Sequence, residues 1–73
     1  MTEKEFRMKF ARRLRDICQE RGMNATWIAP RAGISAGSVY AYLNGKKMPN
    51  AYRVKMLAKV IGVDENTLLD VGE

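Results

Sequence analysis

The stretch NATWIAPRAGISAGSVYAYLNG, Asn24 to Gly45, decides the fold. Its apolar residues fall at helical intervals in two short runs: Ile28, Ala29 and Ala32, then Val39, Tyr42 and Leu43. Asn24 and Ser35 stand just before these runs, where a side-chain oxygen satisfies an orphan N–H of the first helical turn. Gly33 closes the first run and Asn44-Gly45 the second. Two helices that cross steeply through a tight turn need three things. Ala29 is the small residue where the second helix approaches. Gly33 takes the positive φ of the turn. Ile34, Val39 and Tyr42 anchor the second helix to the core.

The flanks extend the same pattern. Upstream, Thr2-x-x-Glu5 has the form of a capping box, and Phe6, Phe10, Leu14 and Ile17 then make one helical stripe that ends at Arg21-Gly22. Downstream, Pro49-Asn50 opens a helix carrying Ala51, Val54, Leu57, Ala58 and Ile61, and Gly62 stops it. Asp64 caps a last turn or two around Leu68 and Leu69. No stretch alternates apolar and polar long enough for a strand, and no repeat or linker divides the chain. The expectation is an all-α fold, one domain over residues 1–73, with five short helices and a helix-turn-helix unit at about 25–44.

Composition limits what such a domain does. Of its 73 residues 47% are hydrophobic, enough for a small core but not for wholesale disorder. One cysteine, Cys18, and no histidine leave no internal disulfide and no zinc-ligand set, so no metal and no cofactor are expected. With no histidine, no glycine-rich phosphate loop and carboxylates clustered at the chain ends, an enzyme is not expected either. No apolar run approaches the roughly 20 residues of a membrane span, and the charged N-terminus does not read as a signal peptide. A reducing, cytoplasmic setting is expected, with no small-molecule ligand.

The net charge of +5 is unevenly distributed. From Arg21 to Val63 there is no Asp or Glu, while Arg21, Arg31, Lys46, Lys47, Arg53, Lys55 and Lys59 all lie there. An acid-free middle lets a polyanion approach without local repulsion.

The unit Ile28-Ala29-x-x-Ala32-Gly33-Ile34-Ser35-x-x-x-Val39-x-x-Tyr42 resembles the helix-turn-helix domain of phage repressors and Cro proteins, the lambda-repressor-like fold. The resemblance covers about residues 6 to 70. It includes Asn44-Gly45-Lys46-Lys47-x-Pro49, and Leu57-Ala58-x-x-Ile61-Gly62-Val63 leading to Leu68-Leu69. It implies sequence-specific binding of double-stranded DNA by a transcriptional regulator, most simply a phage or bacterial repressor that occupies operator DNA and resides with the nucleoid. The helix Ala36 to Leu43 would enter the major groove, with Ser35, Ala36, Gly37, Ser38, Tyr40, Ala41 and Lys47 placed for base readout. Asn24, Ala25 and Thr26 at the start of the second helix, with Asn44, Gly45, Lys46 and Arg53, would contact phosphate. The resemblance also implies a homodimer on a near-palindromic site, with Leu68 to Val71 as candidates for its surface.

Three departures from the family pattern matter. Ala25 stands where the family usually has a phosphate-contacting glutamine. Cys18 and Leu43 replace an Arg–Glu ion pair with apolar groups, a change that is tolerated when both partners change together. Pro30 lies inside the second helix, where it removes a hydrogen bond, so that helix is expected to begin late or bend. The reading helix has no Gln, Asn, Arg or Lys between Ser35 and Leu43, so DNA shape is expected to supply part of the specificity.

Several residues admit two readings. Trp27 either marks a partner surface or packs on the first helix. Tyr40 either touches DNA or lies along the surface, whereas Tyr42 has the phase of a core residue. Arg12, Arg13 and Arg15 read as a solvated helix face, and Cys18 as a buried small hydrophobe. The competing function is a protein-binding module of the same fold, such as an antitoxin or anti-repressor component, with Trp27 and Tyr52 at its contact. A membrane-surface role for the first helix fails, because its apolar stripe is needed for the core.

Overall fold

Five helices form where the caps predict them. The computed structural model of the chain describes residues 1–70, in the order α1 Glu3–Glu20, α2 Ala25–Ala32, α3 Ala36–Leu43, α4 Ala51–Ile61 and α5 Glu65–Leu69. The Thr2 Oγ1 accepts from the Glu5 N–H at 3.1 Å and the Glu5 Oε1 from the Thr2 N–H at 3.0 Å, a closed capping box. Asn24, Ser35, Asn50 and Asp64 cap the other four, each accepting from a first-turn N–H at 2.8–3.1 Å. Among the described residues there is no strand, and residues 71–73 of the expected domain lie outside them.

The core draws on every helix. Phe10, Leu14, Ile28, Val39, Leu57, Ile61 and Leu68 are fully enclosed. Each contributes about 1.5–3 kcal/mol over its exposed state. Ala29, 3% exposed, and Gly33, at φ 69°, make the close crossing of α2 and α3, while Ile34, Val39 and Tyr42 hold α3 inward. Cys18 is buried beside Leu14, and Leu43 packs half-buried on the same core, so both positions of the absent ion pair are apolar. Among the described residues no charged side chain is buried.

Two expectations are corrected. Pro30 does not delay α2, which starts at Ala25 directly after its Asn24 cap and runs through the proline to Ala32. The ring is exposed, and the one bond it forfeits would have gone to the Thr26 carbonyl in the first turn, on the exposed side of the helix. Leu68, expected at a dimer surface, is fully buried and belongs to the core. Of that set only Leu69 and Asp70 are exposed, and Val71 lies outside the described residues.

One feature was not expected. Three arginines at the edges of α1 donate to carbonyls that follow or close other helices. Arg7 Nε reaches the Gly45 carbonyl beyond α3 at 2.7 Å, and Arg21 reaches Ile61 at the end of α4 at 3.0 Å. Arg13 Nε reaches Thr67 in α5 at 2.9 Å. A cation at a helix C-terminus satisfies an orphan carbonyl and opposes the negative end of the macrodipole. Arg13 is therefore not simply solvated, as its neighbours suggested.

Candidate nucleic-acid interface

The outer face of α3 is small and open. Ala36 and Gly37 are exposed, Ser38 and Ala41 are half-buried, and Tyr40 is 50% exposed. The Ser35 hydroxyl is committed on both sides. Its oxygen caps the Ser38 N–H at 3.1 Å, and its proton goes to Ser38 Oγ at 2.9 Å. That leaves the Ser38 proton and the Tyr40 hydroxyl as the side-chain donors on this face. With so little bulk between Ser35 and Tyr40, a ligand surface meets the helix backbone closely.

The start of α2 belongs to the same unit, separated from α3 by the length of α2 and the turn at Gly33. Asn24 and Thr26 are exposed there, and Asn24 spends only its Oδ1 on the cap, leaving its side-chain N–H groups available. Ala25 differs. It is 1% exposed, its methyl sits in the core, and it has no surface to offer a phosphate. The anion-binding capacity of this helix end rests on its neighbours and on the dipole.

Beyond α3 the chain turns back sharply. The Lys46 and Lys47 N–H groups both point at the Ala41 carbonyl, at 2.9 and 3.4 Å, and the two lysine side chains are exposed together. Asn44 is exposed beside them. Gly45 is not. It is buried, its N–H donates to the Tyr42 carbonyl and its own carbonyl accepts from Arg7, which attaches this loop to α1. Arg53, in the first turn of α4, is half-buried. Its guanidinium donates to the buried Tyr42 hydroxyl at 2.7 Å, which fixes the base of α4 against α3 and orients the remaining N–H groups. Sequence spacing gave no sign of this bond, because an 11-residue separation across a loop has no helical period.

Trp27 takes neither of its two readings cleanly. It is 38% exposed, with the Arg31 guanidinium 4.0 Å above its ring and bonded to its carbonyl at 2.8 Å. This cation–π pair covers much of the indole from within the chain. Tyr52 is 68% exposed at the start of α4. Among the described residues no group of three or more metal-ligating side chains converges, and no helix is long and apolar enough to cross a membrane.

Two short helices crossing at a small residue, a left-handed glycine between them and an open second helix define a helix-turn-helix unit. Comparison with known families agrees. The family model of the helix-turn-helix domain matches residues 9–70, and the chain belongs to that family. Among curated proteins and solved structures no match is found. Membership marks the chain as a DNA-binding domain of the kind used in transcription regulation, a family that is typically non-enzymatic.

Proposed function

We propose that this chain binds double-stranded DNA in a sequence-specific way and regulates transcription as a repressor of the phage or bacterial kind, by occupying operator DNA. One observation carries the reading. The open face of α3 is flanked by the capped start of α2 and by Lys46 and Lys47, in a stretch from Arg21 to Val63 without a single acid. In this reading α3 lies in the major groove. Asn24 and Thr26 meet phosphate on one side, and Asn44, Lys46 and Arg53 on the other.

Base readout then falls to Ser35, Ala36, Gly37, Ser38, Tyr40, Ala41 and Lys47. The alanine methyls suit thymine, and the Ser38 and Tyr40 hydroxyls suit base-edge acceptors. Seven readers without a side-chain amide or guanidinium supply little bidentate recognition, so the energy of deforming the duplex takes a share of the discrimination. Repression by occupancy asks for no catalytic group. Two copies on a near-palindromic site would place their α3 helices about 34 Å apart, one turn of DNA.

Selection of binding sites from random duplex DNA tests this. The expected result is one enriched near-palindrome with half-sites spaced by a helical turn. Affinity for it should fall steeply with salt, by about a thousandfold between about 50 and 200 mM if about six phosphates are contacted. Enrichment of no sequence, or affinity indifferent to salt, refutes the proposal.

A further inference from the structure

A second charged surface lies on the solvent side of α1, away from the buried stripe of Phe10, Leu14 and Cys18. Lys4, Met8, Arg12 and Arg15 follow one another at four- and three-residue steps, so they form a single row about 16 Å long, three helical turns. With Glu5 and Lys9 they line a shallow groove of about 540 Å³. Met8, at the middle of the row, is 45% exposed. Unlike Arg7, Arg13 and Arg21, the cations Lys4, Lys9, Arg12 and Arg15 make no hydrogen bond or ion pair among the described residues. The one acid of the groove, Glu5, already has its carboxylate on the Thr2 N–H.

We propose that this groove docks an acidic amphipathic helix of another protein, with an apolar side chain of the partner seated on Met8 and carboxylates paired with Lys4, Lys9, Arg12 and Arg15. Among the described residues Asp16 and Asp70 lie beside Lys9 and Arg12 in the adjoining cleft and Lys9 faces Glu5, but none of these acids makes an ion pair with the four cations, and that surplus of positive charge calls for an acidic occupant. A flexible, polarizable methionine, framed by the aliphatic stems of the basic side chains, calls for an apolar knob. A duplex backbone brings phosphates but no such knob. An anionic bilayer brings apolar depth, but an interfacial helix needs a whole apolar face, and here the row holds one methionine. A helix of about three turns matches the length of the row and the spacing of its charges. The inference does not rest on DNA binding, since the groove residues all belong to α1, and only Met8 also touches the loop after α3, at Gly45.

The test is an amide chemical-shift titration of the isotope-labelled chain. The probe is a synthetic helix of about 14 residues, with leucine along one stripe and glutamate elsewhere. Its control has each leucine replaced by serine. A duplex of about 20 base pairs and phosphatidylserine vesicles are titrated separately. The leucine peptide is expected to move Lys4, Met8, Lys9, Arg12 and Arg15 and to saturate, with the serine control at least about tenfold weaker. Met8→Ser should weaken the leucine peptide several-fold. The double variant Arg12→Ser/Arg15→Ser, confined to exposed positions, should abolish its binding while leaving duplex affinity within about threefold. Equal binding of the serine control, shifts confined to α3, no saturable shift at all, or a duplex or vesicle response at these α1 residues as strong as the peptide's would each overturn the proposal. A duplex that fails to shift α3 counts against the proposed DNA function alone, because the two surfaces report through different residues.

Discussion

Gly45→Ala is expected to destabilise the chain about twice as much as Gly33→Ala, and the difference is traceable to one side chain. Both glycines sit in the left-handed region, at φ 72° and 69°. An L side chain there costs about 1–2 kcal/mol, reduced by a few tenths because alanine also restricts the unfolded chain. At Gly33 nothing lies within 4 Å of an added methyl, so about 1 kcal/mol is the whole effect. At Gly45 the same methyl would stand 2.5 Å from Met8 Sδ, 3.2 Å from Met8 Cε and 3.6 Å from Ala11 Cβ. Overpacking of this kind costs about 1–3 kcal/mol. The lower end applies, because Met8 is flexible and nearly half exposed. The total for Gly45→Ala is then about 2 kcal/mol, a fall in Tm of about 10 °C for a domain of this size. Urea and thermal unfolding followed by circular dichroism would measure it for both variants. Repeating Gly45→Ala in a Met8→Ala background closes a double-mutant cycle, and there the cost should drop to that of Gly33→Ala. If Gly45→Ala is no worse than Gly33→Ala, or if Met8→Ala leaves its cost unchanged, the packing of α1 on the loop after α3 is not as described.

Three further outcomes are expected. Burial pushes the Cys18 thiol above its ordinary pKa, so iodoacetamide should label it far more slowly than a free thiol at neutral pH and reach ordinary rates only in urea; fast native labelling would contradict the core placement. Hydrogen bonding from the Thr2 backbone and side chain holds the Glu5 carboxyl below its ordinary 4.5. A depressed carboxyl contributes stability that is present above the unfolded pKa and lost as pH falls through the folded one, so wild type should lose its advantage over Glu5→Gln below about pH 4.5, and Thr2→Ala, which removes the side-chain bond but keeps the larger backbone one, should return the Glu5 titration, read by NMR, only part of the way toward the ordinary value. If the proposed DNA function holds, Arg53→Ala should weaken duplex binding for all sequences alike and lower the salt slope by about one; Tyr42→Phe, which removes only the acceptor at 2.7 Å, should lower affinity less and leave the slope unchanged.

The helix ends were legible because capping is local. Thr2, Asn24, Ser35, Asn50 and Asp64 each bond a first-turn N–H within three residues. The anchors Ile34, Val39 and Tyr42 were legible because helical phase sorts inward from outward. What escaped was either distant in sequence or a matter of degree. The bonds of Arg7, Arg13 and Arg21 join residues 38, 54 and 40 apart, and nothing near an arginine states which carbonyl it will meet. The one hint was that Arg7 borders the apolar stripe next to Phe6, where a side chain overhangs a neighbouring element. The late start expected from Pro30 failed because the interior-helix penalty was applied to a helix of eight residues with little interior. Ala25 and Gly45 were placed at the interface by their position in a pattern, but pattern does not carry solvent exposure. Leu68 failed for the same reason.

The three long-range arginine bonds have a consequence for dissection. A fragment beginning after α1 would keep the whole reading unit and both of its caps in sequence. It would nonetheless leave the chain beyond α3 and the last turn of α5 without their donors at once, along with the enclosed surface of Phe10 and Leu14, and Arg21, the C-cap of α1 that reaches the end of α4, would lose the helix that positions it. Such losses are coupled rather than successive, because one rigid rod supplies all of them. The first helix therefore acts as a common fastener, and the fold should open as a unit when it leaves. The recognition surface is consequently not a separable module. Its shape depends on a segment, Glu3 to Arg21, that precedes α2 and lies outside the helix-turn-helix unit.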